Sequence, residues 1–119
     1  MPHTPQVVHK KILGDKGEKL AEAYLKKQGY KILKRNYRTP LGEADLVVQK
    51  GEEIVFVEVK TRTSDDYGTP AASVTKTKQA HYKKIAAYYI SGRKEEVAVR
   101  FDVVEVWADG KIEHMESAF

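Results

Sequence analysis

Cysteine is absent from the 119 residues, which excludes disulfides and thiolate metal sites. Long apolar runs are absent too, and no signal-peptide pattern is present, so the expectation is a cytoplasmic protein without membrane association. Proline is scarce, with four residues, and no linker, internal repeat or low-complexity tract divides the chain. What remains is a chain of 32% charged and 41% hydrophobic residues, which fits a folded domain rather than a disordered segment. A chain of this length buries roughly two-thirds of its unfolded surface as one domain. The net charge of +4 leans toward a polyanionic partner, a lean that many basic proteins share without binding one.

The pattern reads as α-β-β-β-α-β-β. Met1 to about Lys11 reads as a flexible arm, and residues 12–119 as the domain. The first helix is expected from about Gly14 to Gln28, with Leu20, Ala21, Tyr24 and Leu25 as its apolar stripe and Gly29 as its stop. A strand over Tyr30–Tyr37 follows, then a turn at Thr39-Pro40-Leu41-Gly42. Glu43–Gln49 and Glu53–Thr61 form a hairpin about Gly51-Glu52, with glycine where a tight turn wants it. A polar loop runs from Arg62 to Ser73, its Asp65 and Asp66 reading as solvated. A second helix is expected over Val74–Ile90, with Tyr82, Ile85, Ala86 and Tyr89 inward and Lys76, Lys78, Lys83 and Lys84 outward. Its tyrosines read as core and rim packing. A strand over Val97–Trp107 and a short one near Lys111–Met115 close the chain. Strands between helices make this a mixed α/β sandwich.

Register arithmetic gives the hairpin its chemical interest. With Lys50 facing Glu53, partner numbers sum to 103, so Asp45 faces Glu58 and Glu43 faces Lys60. Opposed side chains have Cβ atoms about 5 Å apart. Two carboxylates at that distance repel by roughly 3 kcal/mol at an effective dielectric near 20. A neighbouring ammonium offsets part of this and a divalent cation offsets more. Magnesium suits such a site, because it takes one or two carboxylates and completes its shell with waters and phosphate. The competing reading of the same residues is a structural cross-strand ion pair, with Glu43–Lys60 its strongest form. Glu43 alternatively tunes the site from behind.

Glu18 lies about 20° from Leu25 on a helical wheel, at the border of the buried stripe, where it can reach the sheet's polar end. Near a helix N-terminus, favourable interaction with the helix dipole explains it equally well. Asp102 beside Arg100 reads as a structural pair. No histidine has ligand spacing. The second-helix lysines, Lys78 among them, read as a solvated face or as contacts to a nucleic-acid backbone. Arg35, Arg38 and Arg62, near the sheet end, are the better phosphate contacts.

Gly17-Glu18 with Ala21 and Tyr24-Leu25, then Gly42-Glu43-Ala44-Asp45-Leu46-Val47, then Val57-Glu58-Val59-Lys60-Thr61-Arg62 together resemble the YraN-like endonuclease-like family. The likeness continues through Gly68-Thr69-Pro70, Val74, Lys78-Gln79 and Arg100-Phe101-Asp102-Val103-Val104. That family is similar to the Holliday-junction resolvases of the PD-(D/E)XK nuclease superfamily. The resemblance implies a restriction-endonuclease-like α-β-β-β-α-β core with a mixed central sheet. It also implies a Mg2+ (or Mn2+) dependent site with Asp45, Glu58 and Glu18 as metal ligands and Lys60 beside them. Gln79 matches a polar position that lines the site in some relatives. Lys60 would act as proton acceptor or as electrostatic stabiliser.

Three functions follow as expectations. One is a DNA endonuclease acting on branched or structured DNA, with a homodimer as the arrangement that cuts two strands. Another is a non-catalytic nucleic-acid-binding module of the same fold. The third is an interaction scaffold built on the second helix or the arm.

Overall fold

A computed structural model describes residues 5–62 and 74–119. The elements run α1 (Pro5–Lys27), β1 (Lys31–Thr39), β2 (Gly42–Lys50), β3 (Glu53–Arg62), α2 (Lys76–Ile90), β4 (Ala98–Trp107) and β5 (Ile112–Met115). The five strands form one sheet in the order β1-β2-β3-β4-β5. Neighbours are antiparallel except β3 and β4, which pair in parallel from Glu53↔Ala98 to Arg62↔Trp107. A parallel pair needs a crossover connection, and α2 lies within it. The chain thus has the mixed α/β architecture expected, with the α-β-β-β-α-β order at its centre.

Helices cover both faces, so the middle strands are apolar on both sides. Ala21 and Leu25 of α1 pack on Leu46, Val48, Val55, Val57 and Val104. Tyr82, Ile85 and Ala86 of α2 pack on Ala44, Val47, Ile54 and Phe56 on the other face. Fully burying a side chain such as Leu25 or Phe56 contributes about 1.5–3 kcal/mol. Gly29, at φ +95°, ends α1 in the left-handed region expected after a helix.

The helix α1 begins at Pro5, so residues 5–11, assigned to the arm, are helical; Met1–Thr4 lie outside the described residues. Proline suits a first helical turn, where its missing N–H has no intrahelical partner to lose. The loop residues 63–73, with Asp65 and Asp66, also lie outside the described residues. The helix α2 starts at Lys76 rather than Val74. Thr75 caps it, and its Oγ1 accepts the Lys78 N–H at 3.2 Å.

The helix α1 meets the end of β3 at Gly17, which is buried. A Cβ there would fall well inside contact distance of the Thr61 hydroxyl. Glycine lets the helix approach, and so brings Glu18 to the end of the sheet. Gly17→Ala should cost about 1–2 kcal/mol despite alanine's better helix propensity. Thr61→Ala in the same chain should recover most of it, which chemical denaturation of the two single variants and the double would measure.

On the α1 face, Asp102 is fully buried. It accepts from Arg100 Nε and Nη2, both at 2.8 Å, and from the Ser117 N–H at 3.0 Å, with His114 Nε2 at 2.7 Å. Burial pushes its carboxyl up, but these hydrogen bonds, His114 first, hold it below the usual range. Arg100 also reaches Tyr30 and Glu53, and Tyr24 Oη lies 3.1 Å from His114 Nδ1. The Asp102–Arg100 pair therefore has a structural place, joining α1, β4 and β5. At the sheet's outer edge, β1 exposes Lys31, Lys34, Arg35 and Arg38. Arg35 is paired with Glu22, and Arg38 with Glu43.

Candidate active site

The β2–β3 register is the predicted one from Lys50↔Glu53 to Leu46↔Val57. Beyond Leu46 the ladder opens. The Asp45 carboxylate takes the place of a backbone partner, its Oδ2 accepting the Val59 N–H at 2.8 Å. The break is visible in the packing, for Ala44 lies on the α2 face and Leu46 on the α1 face, although strict alternation would put both on one side. Asp45 and Glu58 nevertheless share one open cleft of about 430 Å³ on the α2 side, together with Gly42, Glu43, Lys78 and Tyr82.

Glu58 is 2% exposed, at the middle of the sheet. Two groups from α2 hold it. Tyr82 donates its hydroxyl proton to Glu58 Oε1 at 2.7 Å, and the Lys78 ammonium pairs with Oε2. The same Tyr82 oxygen accepts the Asp45 N–H at 3.4 Å. One phenol thus ties both carboxylate strands to α2. Tyr82→Phe should lower stability by about 1.5–3 kcal/mol, since a hydrogen bond to a buried charged group is lost. Urea unfolding would read this, with Glu58→Gln/Tyr82→Phe closing the cycle.

The pair is short of positive charge. Burial first, then Glu58, raise the Asp45 carboxyl from 3.8 to about 7, with the Val59 N–H opposing and Glu18 adding. Burial also raises Glu18, and Asp15, Glu43 and Glu58 push it in the same direction. Tyr82 is raised as well, by burial and then by the two carboxylates.

The other expected residues fall in several places. Glu18 feels the field of Glu58, yet it lines a neighbouring hollow between α1 and β1, with Asp15, Glu22 and Arg35. Lys60 stands half-buried two residues beyond Glu58, on the same face by alternation and opposite Glu105 in the register. Glu43 does not face Lys60. With β2 parted from β3, it pairs with Arg38 across β1 at 3.3 Å, while still lining the cleft. The Gln79 amide donates to the Val74 carbonyl at 3.0 Å and does not reach the carboxylates. Arg62 pairs with the buried Glu105, and Arg38 is exposed.

Lys78 is the main correction. Read as part of the outer lysine face, it points inward, one helical turn before Tyr82. The four-residue spacing of Lys78 and Tyr82 is the signal that could have found it. Glu105, 1% exposed, has none, because its partner Arg62 lies on another strand. Among the described residues no three carboxylate or imidazole groups converge into a ready-made metal cage. The site offers a pair.

Proteins of one family are similar to this chain over most of its length. Residues 17–106 match the family described as "Uncharacterised protein family UPF0102". A UPF0102 protein of Thermodesulfovibrio yellowstonii is 55% identical over 107 residues, covering 90% of this chain and 95% of its own. One from Caldicellulosiruptor saccharolyticus is 46% identical over 110 residues, 92% and 93% of the two chains. One from Geobacter metallireducens is 46% identical over 116 residues, 94% and 95%.

Proposed function

The chain belongs to uncharacterised protein family UPF0102, and from its carboxylate pair we propose that it is a metal-dependent DNA endonuclease, a phosphodiester hydrolase whose substrate class is branched or otherwise structured DNA. The observation that carries this reading is the juxtaposition of Asp45 with the buried Glu58 in an open cleft, with Lys78 as the cation paired to Glu58. Such a pair opposes folding unless a cation serves it, and it opposes approach of a polyanion for the same reason.

The donors fit magnesium or manganese. They are hard carboxylate oxygens, the two that such an ion commonly takes before filling its shell with water and phosphate. The raised Asp45 carboxyl fits as well: burial first, and the neighbouring Glu58 second, make its charge costly, a cost that a bound cation would lower. Asp45 and Glu58 would hold the ion, with Glu18 in the neighbouring hollow adding to the negative field around it. When bound, the ion supplies Lewis acidity at the phosphate and a water of lowered pKa.

The chain's own residues do the rest. The Val59 N–H orients the Asp45 carboxylate, and Tyr82 fixes the rotamer of Glu58. Lys60, which forms no ion pair among the described residues, has its ammonium available for the charge that develops at phosphorus. Arg38, exposed at the rim beside Glu43, supplies a phosphate contact. The membrane has no part in this reading: among the described residues no helix is long and apolar enough to cross one. A cytoplasmic setting, where DNA and magnesium meet, belongs to the same proposal.

The test is a panel of four-way junction, duplex and single-stranded DNA, with Mg2+, Mn2+ or EDTA, scored for both cleavage and binding. Metal-dependent cleavage supports the proposal. Binding that ignores metal, without cleavage, replaces it with the nucleic-acid-binding module, and no binding at modest salt removes both.

A further inference from the structure

We propose that Lys78 is an internal counter-cation, occupying the carboxylate pair until a divalent ion displaces it and then turning to a phosphate of the nucleic acid. The inference rests on the metal site proposed above and adds a positioning residue to it.

Three features carry it. The first is position. The Lys78 ammonium sits on Glu58 Oε2, one of the oxygens a metal would need, while Tyr82 holds the other. The second is asymmetry. The Glu58 side chain is 3% exposed and fixed in the central strand, whereas that of Lys78 is 44% exposed on a flexible four-carbon stem. When the pair breaks, Lys78 is the partner that moves, and it moves toward solvent. The third is neighbourhood. Lys78 lies in the first turn of α2, which contains no acidic residue, and Thr75, Thr77 and Lys78 together line the cleft. An ammonium swinging out of the pair therefore stays at its mouth, among hydroxyls and helix N–H groups, where a phosphate would enter.

Exchange of this kind makes the two ligands cooperate. Metal binding releases a positive charge to the DNA side, and DNA, by drawing Lys78 away, leaves the carboxylates to the metal. It also gives the metal-free protein a way to hold Glu58 at neutral pH without a divalent ion. Lys60, on the same strand as Glu58, is the residue the chemistry keeps in place; Lys78 comes from a different element and is the one that can leave.

The experiment is titration of Mn2+ into the intact protein by calorimetry, without nucleic acid, for wild type, Lys78→Met, Lys78→Gln, Lys78→Arg and Glu58→Gln. Removal of the competing ammonium should tighten Mn2+ binding by about 2- to 5-fold in the Met and Gln variants, the cost of one partly exposed ion pair. Lys78→Arg should bind as wild type does, and Glu58→Gln should lose binding. In the presence of Mn2+, Lys78→Met should bind DNA more weakly, with a salt slope shallower by about one. Circular dichroism checks that each variant folds, and Lys78→Gln, which keeps a hydrogen-bond donor to Glu58, stands in should Lys78→Met fail. Wild-type binding of Mn2+ with no tightening in either neutral variant overturns the exchange and leaves the metal site standing. Absence of Mn2+ binding in wild type and in both neutral variants overturns the metal site, and the exchange with it.

Discussion

Asp45→Asn and Glu58→Gln should each reduce cleavage by about 10³-fold or more while leaving the fold intact and DNA binding equal or tighter. Both substitutions keep size and one acceptor oxygen. An asparagine amide oxygen at the first position can still take the Val59 N–H, and a glutamine one at the second can take the Tyr82 hydroxyl. What each removes is a negative charge, and with it a ligand for the ion. The gain in DNA binding has the same origin, since a carboxylate facing a phosphate without a cation repels it. The double variant should be little worse than either single, because one ion is lost once. Single-turnover cleavage of a labelled junction, with binding followed by anisotropy, would separate the two effects. Cleavage that persists in both variants would remove this pair from the mechanism.

The second expected result is that Asp45→Asn stabilises the metal-free protein at pH 8 and does nothing for it at pH 4. In the folded chain the Asp45 carboxyl lies at about 7, above its ordinary 3.8, so the folded state holds a proton that the unfolded state has released. A group raised in this way contributes stability that is fully present below its unfolded value and is lost as pH rises through about 7. At 1.36 kcal/mol per tenfold, the rise corresponds to roughly 4 kcal/mol as an upper figure. Asparagine carries no charge to lose, so the variant should gain about 2–4 kcal/mol at pH 8, or roughly 8–16 °C in Tm. Millimolar Mg2+ or Mn2+ should restore the wild type at pH 8 and leave Asp45→Asn unmoved, since ion and proton compete for the same oxygen. Thermal unfolding from pH 4 to 8, with and without the metal, would show both trends. A wild-type Tm that rises steadily through pH 7 without metal would contradict the charge balance described here.

The hairpin is legible in the sequence because three local signals agree. Gly51 fixes the turn, alternating valines fix the faces, and the two together fix the register. Asp45 and Glu58 can be brought together from that alone. They share a cleft, but not as the opposed ladder pair the arithmetic predicts: the count fails at that step, and at Glu43 and Lys60 after it, because it assumes a ladder that continues. Asp45 ends the ladder by giving its side chain to Val59, and no count of residues announces that event. Lys78 is misplaced for a related reason. On a helix a lysine in the inward stripe looks like an error of phase unless its partner is known, and Glu58 belongs to a different element. Long-range polar pairs such as Arg62–Glu105 stay hidden in the same way, whereas Arg100 and Asp102, two apart on one strand face, are visible. The early start of α1 goes unsignalled because its first turns carry little apolar periodicity.

The bare margin of β1 bears on how copies of this chain can meet. Lys31, Lys34, Arg35 and Arg38 stand along a strand whose outer backbone groups have no partner strand among the described residues. A second copy laid against that margin would bring two such rows of cations into one ribbon, which strongly disfavours joining two sheets into one. Although Arg35 and Arg38 are held by Glu22 and Glu43, the row as a whole disfavours a two-fold assembly through this edge.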